Sequence, residues 1–376
     1  MLHQRRLLKR ADPVLLIIVA LLLAVGLVMI YSCTRASLVA AGQSPFQKLH
    51  LQIAWLALGL IAMAGALTLD YEKIGSLSGV LMAVVVALLI LVLVIGAIQG
   101  EVRGTRRWID IGPIHVQPSE LAKIAVIIIL AVYLAAREEE VDTLSLVSRS
   151  LVYAFIPTSL ILLQPDLGTP VVIMFIWFVM LFVAGARITH LLAYVLAGVL
   201  LFGAAWNLGV IPQHQKNRLL AFRYPDADPK GAGWQLRQSL IAIGSGGMWG
   251  QGLFQGKQTQ LGFIPDQETD FIFTAIGEEK GFFGCSVVLG LFGLLLWRTL
   301  HISANAKDRL GQLMAAGIAA LFFLHLIVNV GMTLGMMPVK GMPLPFVSYG
   351  GSNLITNMIC IGLLENIYMR RHKIVF

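Results

Sequence analysis

Four ionisable groups stand out by type and place. Glu120 and Lys123 follow Gln117-Pro118-Ser119, Asp166 sits in the turn Gln164-Pro165-Asp166-Leu167-Gly168-Thr169, and Asp270 closes a polar stretch running from Pro212 to Asp270. Asp270 is followed at once by Phe271-Ile272-Phe273. A carboxylate beside apolar side chains is partly desolvated, which raises its pKa and makes it a better proton acceptor. Basic residues accompany these acids: Arg103, Arg106 and Arg107 ahead of Trp108, then Lys216, Arg218, Arg223, Lys230, Arg237 and Lys257 in the polar stretch. Such a set suits a phosphate or pyrophosphate at a membrane surface. Ordinary solvated charge on a long loop gives the same pattern. Each acid has a plainer reading too. Glu120 and Lys123 could be a structural pair on one helix face, and Asp166 and Asp270 could be helix caps.

The elements that must position these groups are membrane helices. The chain of 376 residues is 57% hydrophobic and only 13% charged, far below the roughly 25% charge of soluble domains. Ten apolar runs approach the about 20 residues a spanning helix needs. They are Val14–Tyr31, Leu51–Leu69, Val80–Ile98, Leu121–Ala136, Leu151–Leu163, Val171–Ala186, Leu191–Val210, Phe282–Trp297, Leu313–Met337 and Leu354–Met369. The fifth holds Pro157 and is expected to be tilted or broken. The first is too long for a signal core and lacks a small-x-small cleavage site, so it is expected to stay. The expectation is an all-α polytopic membrane protein: one domain over residues 1–376, about ten transmembrane helices, and a large extracytoplasmic loop, 212–270, between helices seven and eight.

Orientation follows from basic flanks. Arg5, Arg6, Lys9 and Arg10 put the N-terminus in the cytoplasm, and Arg370, Arg371 and Lys373 put the C-terminus there after ten spans. Glu138-Glu139-Glu140 falls on that side as a solvated run. The clusters around Trp108, Asp166, Asp270 and Lys340 then share the outer face. In the loop, Arg237–Gly244 reads as a short amphipathic helix, and Gly244–Gly252 has the glycine content for close backbone approach to a ligand. Met337–Ser352, with Lys340, Ser348 and three prolines, implies irregular backbone that protein or water must cover. Ser119 is placed to cap the helix that Pro118 opens. The three cysteines lack metal-ligand spacing and read as packing residues. No internal repeat suggests inverted halves, and the net charge of +8 has no aromatic interleaving or basic helix to suggest nucleic acid.

Four motifs in order, GTRRWIDIG…QPSE, QPDLGT, ETDFIFTAIGEE and PVKGMPLPFVSYGGS, resemble the SEDS family of cell-wall polymerases over nearly the whole chain. AIGSGGMWGQG and GKQTQLGFIPDQETDFIF resemble its elongation (RodA-type) branch more than its division (FtsW-type) branch. Two positions depart from the family pattern: Glu268 where histidine is usual, and Asn353 where serine is usual. The resemblance implies a peptidoglycan glycosyltransferase of the bacterial cytoplasmic membrane. Such an enzyme polymerises lipid II, the undecaprenyl-pyrophosphoryl disaccharide-pentapeptide, onto an undecaprenyl-pyrophosphate-linked glycan at the outer face. It further implies a class B penicillin-binding protein as partner, alongside other elongation-complex membrane proteins. The family's catalytic aspartate matches Asp270, its helix-four acid and lysine match Glu120 and Lys123, and its turn aspartate matches Asp166. Asp270, Glu120 and Lys123 are therefore the catalytic candidates, with Asp270 as general base. Arg106, Arg107, Trp108, Asp166, Arg218, Lys340 and Ser348 are the substrate-binding candidates. Glu120, Asp166 and Asp270 could instead hold Mg²⁺ or Mn²⁺ if they converge, which spacing does not decide. A lipid II flippase and a recruiting scaffold are the other classes. The first predicts ionisable groups buried mid-span in several helices, the second no clustered acids and bases.

Overall fold

A computed structural model of the chain describes residues 11–99, 107–111, 114–164, 166–209, 211, 213–224, 228 and 231–371. Each apolar run coincides with a helix. In chain order these are α1 (Pro13–Ala40), α2 (Gln47–Thr68), a short α3 (Tyr71–Ser76), α4 (Ser78–Gln99), α5 (Pro118–Ala135), α6 (Leu144–Leu162), α7 (Gly168–Ala184) and α8 (Ile188–Asn207). Then come α9 (Gln213–Arg223), α10 (Ala232–Gly246), α11 (Lys257–Gln260), α12 (Ile272–Ala304), α13 (Arg309–Thr333) and α14 (Gly351–Met369). Among the described residues 8 helices are long and apolar enough to cross a membrane; α7, at 17 residues, is apolar but shorter. Among the described residues the only strands are β1 (Ile109–Ile111) and β2 (Ile114–Val116), a hairpin pairing Ile109 with Val116 and Ile111 with Ile114.

Burial separates the helices by task. The most apolar windows of α5 and α13 are 78% and 83% buried, so these two form the centre of the bundle, whereas α8 is only 6% buried and stands at its edge. Charged and amide side chains on α5 and α13 therefore face protein, where an unpaired group would be costly. α6 runs unbroken through Pro157, against the expected break. Proline is tolerated in such helices because neighbours re-satisfy the freed backbone groups.

The polar stretch is mostly helical. The expected amphipathic segment is found as α10, which begins earlier, at Ala232. The glycine-rich segment after it packs against α12. It mends a break in α12, where Gly281 adopts φ 63° and ψ −162°. Phe282 and Phe283 N–H groups there donate to Gly247 O (2.9 Å) and Met248 O (3.1 Å), while Gln251 and Gly252 N–H groups donate to Glu278 O (2.9 Å) and Glu279 O (3.1 Å). A Cβ on Gly250 would lie 2.2 Å from Glu279 O, so the close approach the glycines permit is to this kink. The break splits α12 into a short leading segment that starts beside Asp270 and a long trailing one.

Two ends of the bundle result. At one, the start of α1 meets the end of α14: Asp12 N–H donates to Glu365 Oε2 (2.9 Å) and Arg298 pairs with Asp12. At the other, α5, α7 and α14 begin and α13 ends, and Gln117 N–H donates to Ser352 Oγ (3.1 Å), joining the starts of α5 and α14.

Candidate active site

Asp270 is positioned by a turn and one amide. Its N–H and that of Thr269 both donate to Asp266 O (3.1 Å each), which folds Pro265–Asp270 back on itself just before α12. Asp270 is not the helix cap; that position belongs to Phe271. Asn329, buried on α13, donates through Nδ2 to Asp270 O (2.9 Å) and to Met342 O (2.8 Å). A single carboxamide thus ties the Asp270 segment to the proline-rich loop after α13. Asp270 is half-buried, and its carboxylate lies against Gly341: a Cβ built there would sit 3.0 Å from Oδ2. Any side chain at 341 would displace the acid.

The same loop is held from the bundle centre. His325, four residues before Asn329 on α13, contacts Pro343 O through Nδ1 (3.0 Å) and Lys123 Nζ through Nε2 (3.2 Å). Only Nδ1–H can donate to the carbonyl, which leaves Nε2 bare to accept from the ammonium. Lys123 also donates to Glu120 Oε1 (2.8 Å). Glu120 and Lys123 are only 5% and 2% exposed, so they are an interior pair and not groups at an open mouth. Glu120 Oε2 and Ser119 Oγ are buried without hydrogen-bond partners among the described residues. Ser119 does not cap α5. Pro118 occupies the first helical turn, which shifts the boundary residue back to Gln117.

A second group gathers at the start of α7. Asp166 Oδ1 accepts from Gly168 N–H (2.8 Å) and Oδ2 from Thr169 Oγ1 (2.8 Å), and Arg107 Nη1 lies 3.8 Å from Oδ1. Arg107 Nε donates to Gln164 O (3.2 Å). Lys340 Nζ reaches Leu167 O (3.4 Å). Burial pushes the Lys340 ammonium below the usual lysine range, only partly offset by the neighbouring Asp166 carboxylate. Gly168 brings the two groups together, since a Cβ on it would lie 3.4 Å from Asp166 Oδ1 and 3.7 Å from Gly341 O. Asp166 and Asp270 thus border the same short stretch of loop, with two cations on the Asp166 side.

The remaining candidates divide. Trp108 is exposed at the foot of the hairpin. Ser348 is buried, and its hydroxyl accepts from Leu344 N–H (2.8 Å), which shapes the loop. Arg106 lies outside the described residues; Arg218 falls within α9, and its side chain lies outside them too. The three carboxylates do not form a metal centre. Among the described residues no group of three or more His, Cys, Asp or Glu is arranged to hold an ion. Glu120 is turned to Lys123 in the core, Asp166 is spent on α7 and Arg107, and Asp270 faces Gly341. His325 and Asn329 are the residues sequence reasoning missed. Their signal was a polar pair four apart inside the apolar run Leu313–Met337, a spacing that puts both on one helix face.

Comparison with known proteins bears on this arrangement. The family profile described as cell cycle protein, for FtsW, RodA and SpoVE, matches residues 13–373. Stage V sporulation protein E of Bacillus subtilis (strain 168) is 37% identical over 360 residues, covering 95% of this chain and 96% of that protein. Peptidoglycan glycosyltransferase RodA of Treponema pallidum (strain Nichols) is 33% identical over 430 residues, covering 96% and 98%. Among solved structures, a chain from a study of the structural coordination of polymerization and crosslinking by a peptidoglycan synthase complex superposes with a TM-score of 0.79. It has 34% identity and coverage of 96% of this chain and 99% of that one. The crystal structure of the rod shape determining protein RodA of Thermus thermophilus gives 0.69, with 30% identity and coverage of 96% and 98%. With a family profile matched over residues 13–373 and relatives above 30% identity over most of its length, the chain belongs to the FtsW, RodA and SpoVE family, the SEDS proteins of the membrane.

Proposed function

We propose that the chain, a peptidoglycan glycosyltransferase of this family, polymerises lipid II at the outer face of the cytoplasmic membrane, with Asp270 as general base. Counting α7 and α14 with the 8 helices long and apolar enough to cross gives ten spans, and with both termini cytoplasmic the 212–270 loop lies outside. The 4-hydroxyl of the acceptor sugar attacks the anomeric carbon of the donor glycan. Its proton passes to the Asp270 carboxylate, a C–O bond forms, and the anomeric C–O bond breaks, releasing the lipid pyrophosphate with the bonding electrons. Direct attack inverts that carbon. Arg107 and Lys340 neutralise the pyrophosphate, and their stabilisation of the leaving group is the larger contribution. Asp166 orients both cations. Glu120 and Lys123 act at one remove, through His325, by holding the loop that carries Lys340 and Gly341.

The observation that carries this reading is the Asn329 amide. It fixes the Asp270 backbone and the Lys340–Met342 loop to one point, tying a proton acceptor to the loop that carries a part-buried cation. The partner is a class B penicillin-binding protein, a reading supported by the likeness to a chain of a peptidoglycan synthase complex. The glycine-rich and Pro265–Asp270 segments favour the elongation role, although relatives named FtsW match comparably, at 38% identity. Depletion giving round cells supports elongation; unseparated filaments would assign division instead. The direct test reconstitutes the purified complex with lipid II and compares wild type with Asp270→Asn. Loss of at least about a hundredfold in rate is expected for a general base. Full polymerisation by the folded variant removes Asp270 from the mechanism.

A further inference from the structure

Glu268 stands two residues before Asp270, where the family pattern has histidine, and it is not a spare charge. Its carboxylate pairs with Lys48 Nζ on the first turn of α2, with the two side chains only 13% and 34% exposed. Its backbone carbonyl accepts from Tyr349 N–H (2.8 Å), and Lys48 Nζ lies 5.8 Å from the centre of the Tyr349 ring. One helical turn further along α2, Gln52 grips the same loop from the same face. Its Nε2 donates to Ser348 O (3.4 Å), and its Oε1 accepts from Gly350 N–H (3.2 Å). α2 therefore holds both backbone segments that border the proposed base, and Lys48 supplies the side-chain bond to the one carrying Asp270.

We infer that Lys48 is a positioning residue for glycosyl transfer: its pairing with Glu268 clamps the Pro265–Asp270 turn to α2 and to Tyr349, holding the Asp270 carboxylate at its working distance from the acceptor hydroxyl. The inference rests on Asp270 acting as the base. Neither Lys48 nor Glu268 is required to touch substrate. The turn keeps its links to Asp266 and Asn329 when the clamp is cut, so Asp270 stays in the site but wanders. A reacting group misplaced by about 1 Å costs up to a hundredfold in rate, and the partial freedom expected here places the loss on the order of tenfold.

The test uses the reconstituted complex with lipid II and reads kcat and KM separately. Lys48→Met and Glu268→Gln are each expected to lower kcat on the order of tenfold and leave KM within about twofold, since the interaction acts on the reacting geometry and not on substrate affinity. Lys48→Arg, which keeps the charge, should retain activity. The exchanged double variant, Lys48→Glu with Glu268→Lys, should recover most of the rate lost by the singles, and such recovery cannot arise from misfolding. The inference is overturned if either single runs at the wild-type rate, if KM alone moves, or if the exchange is no better than the singles. Asp270→Asn, assayed alongside, separates the two readings. If it is silent while the clamp variants are unimpaired, only the clamp is wrong; if it polymerises, the base itself is misassigned.

Discussion

The two ends of the bundle differ in how they use charge. At the end where α1 starts and α14 finishes, Arg298 and Asp12 form one buried pair, and the others sit largely in the open: Arg187 with Asp142 (2.6 Å), Lys307 with Glu72 (3.0 Å) and Arg309 with Glu138 (3.5 Å), each with at least one well-exposed partner. Ordinary caps finish the helices there, such as Asp308 Oδ1 accepting from Gly311 N–H (2.8 Å). At the site end the backbone is irregular, and the charges are sunk in protein with few partners each. Exposed pairs contribute about 0–1 kcal/mol, whereas removing one member of a buried pair costs about 3–5 kcal/mol because the other charge is stranded. One end is fastened largely by exposed pairs, each contributing little. The other keeps costly charges in fixed places, which is what a site for a diphosphate leaving group requires.

That contrast can be broken most forcefully at Lys123. Lys123→Met strands Glu120 in the core and leaves His325 Nε2 without its donor, so a loss of about 3–5 kcal/mol is expected. It would be read as a lowered thermal midpoint in detergent, with activity falling alongside. A midpoint unchanged from wild type would mean that the pair is hydrated or neutral. Asn329→Ala comes next. It strands two buried carbonyls at about 1–3 kcal/mol, and single-turnover rates should fall more than lipid II affinity does. A drop in affinity alone would contradict the positioning role.

The third test is on pH. Burial disfavours charged Lys340, so the cation is lost at lower pH than for an ordinary lysine, and activity that needs it should decline early on the alkaline side. Lys340→Arg stays charged and should carry activity to higher pH, which a pH–rate profile would read. If the two profiles coincide, another group sets the alkaline limb. The smallest effect sharpens the comparison from the other end. Arg187→Ala should change stability by less than about 1 kcal/mol and leave polymerisation untouched; a severe loss there would erase the distinction between the two ends.

Much of the fold was legible because membrane helices announce themselves by apolar length, and every run found in the sequence coincides with a helix. The position of Asp166 was legible as a turn residue able to cap the next helix, and its carboxylate does accept from Gly168 N–H. What escaped was long-range. Nothing near Asn329 in sequence reveals that its amide reaches Asp270 and Met342, 59 and 13 residues away. Lys48 meets Glu268 across 220 residues. The neighbour of the glycine-rich segment escaped for a related reason. Glycine content signals that a backbone will come close, not whose, and here the neighbour is the kink at Gly281. Ser119 was misplaced by two residues because Pro118 sets the start of α5 itself.

The break at Gly281 has a mechanical consequence. A continuous rod of 33 residues would carry every rocking of its membrane portion straight to the acid at its tip. Divided at one residue, with the severed backbone handed to an adjoining loop, the two pieces need not tilt together. Asp270 then takes its bearings from its own turn, held by Asn329 on α13 and, through Glu268, by Lys48 on α2.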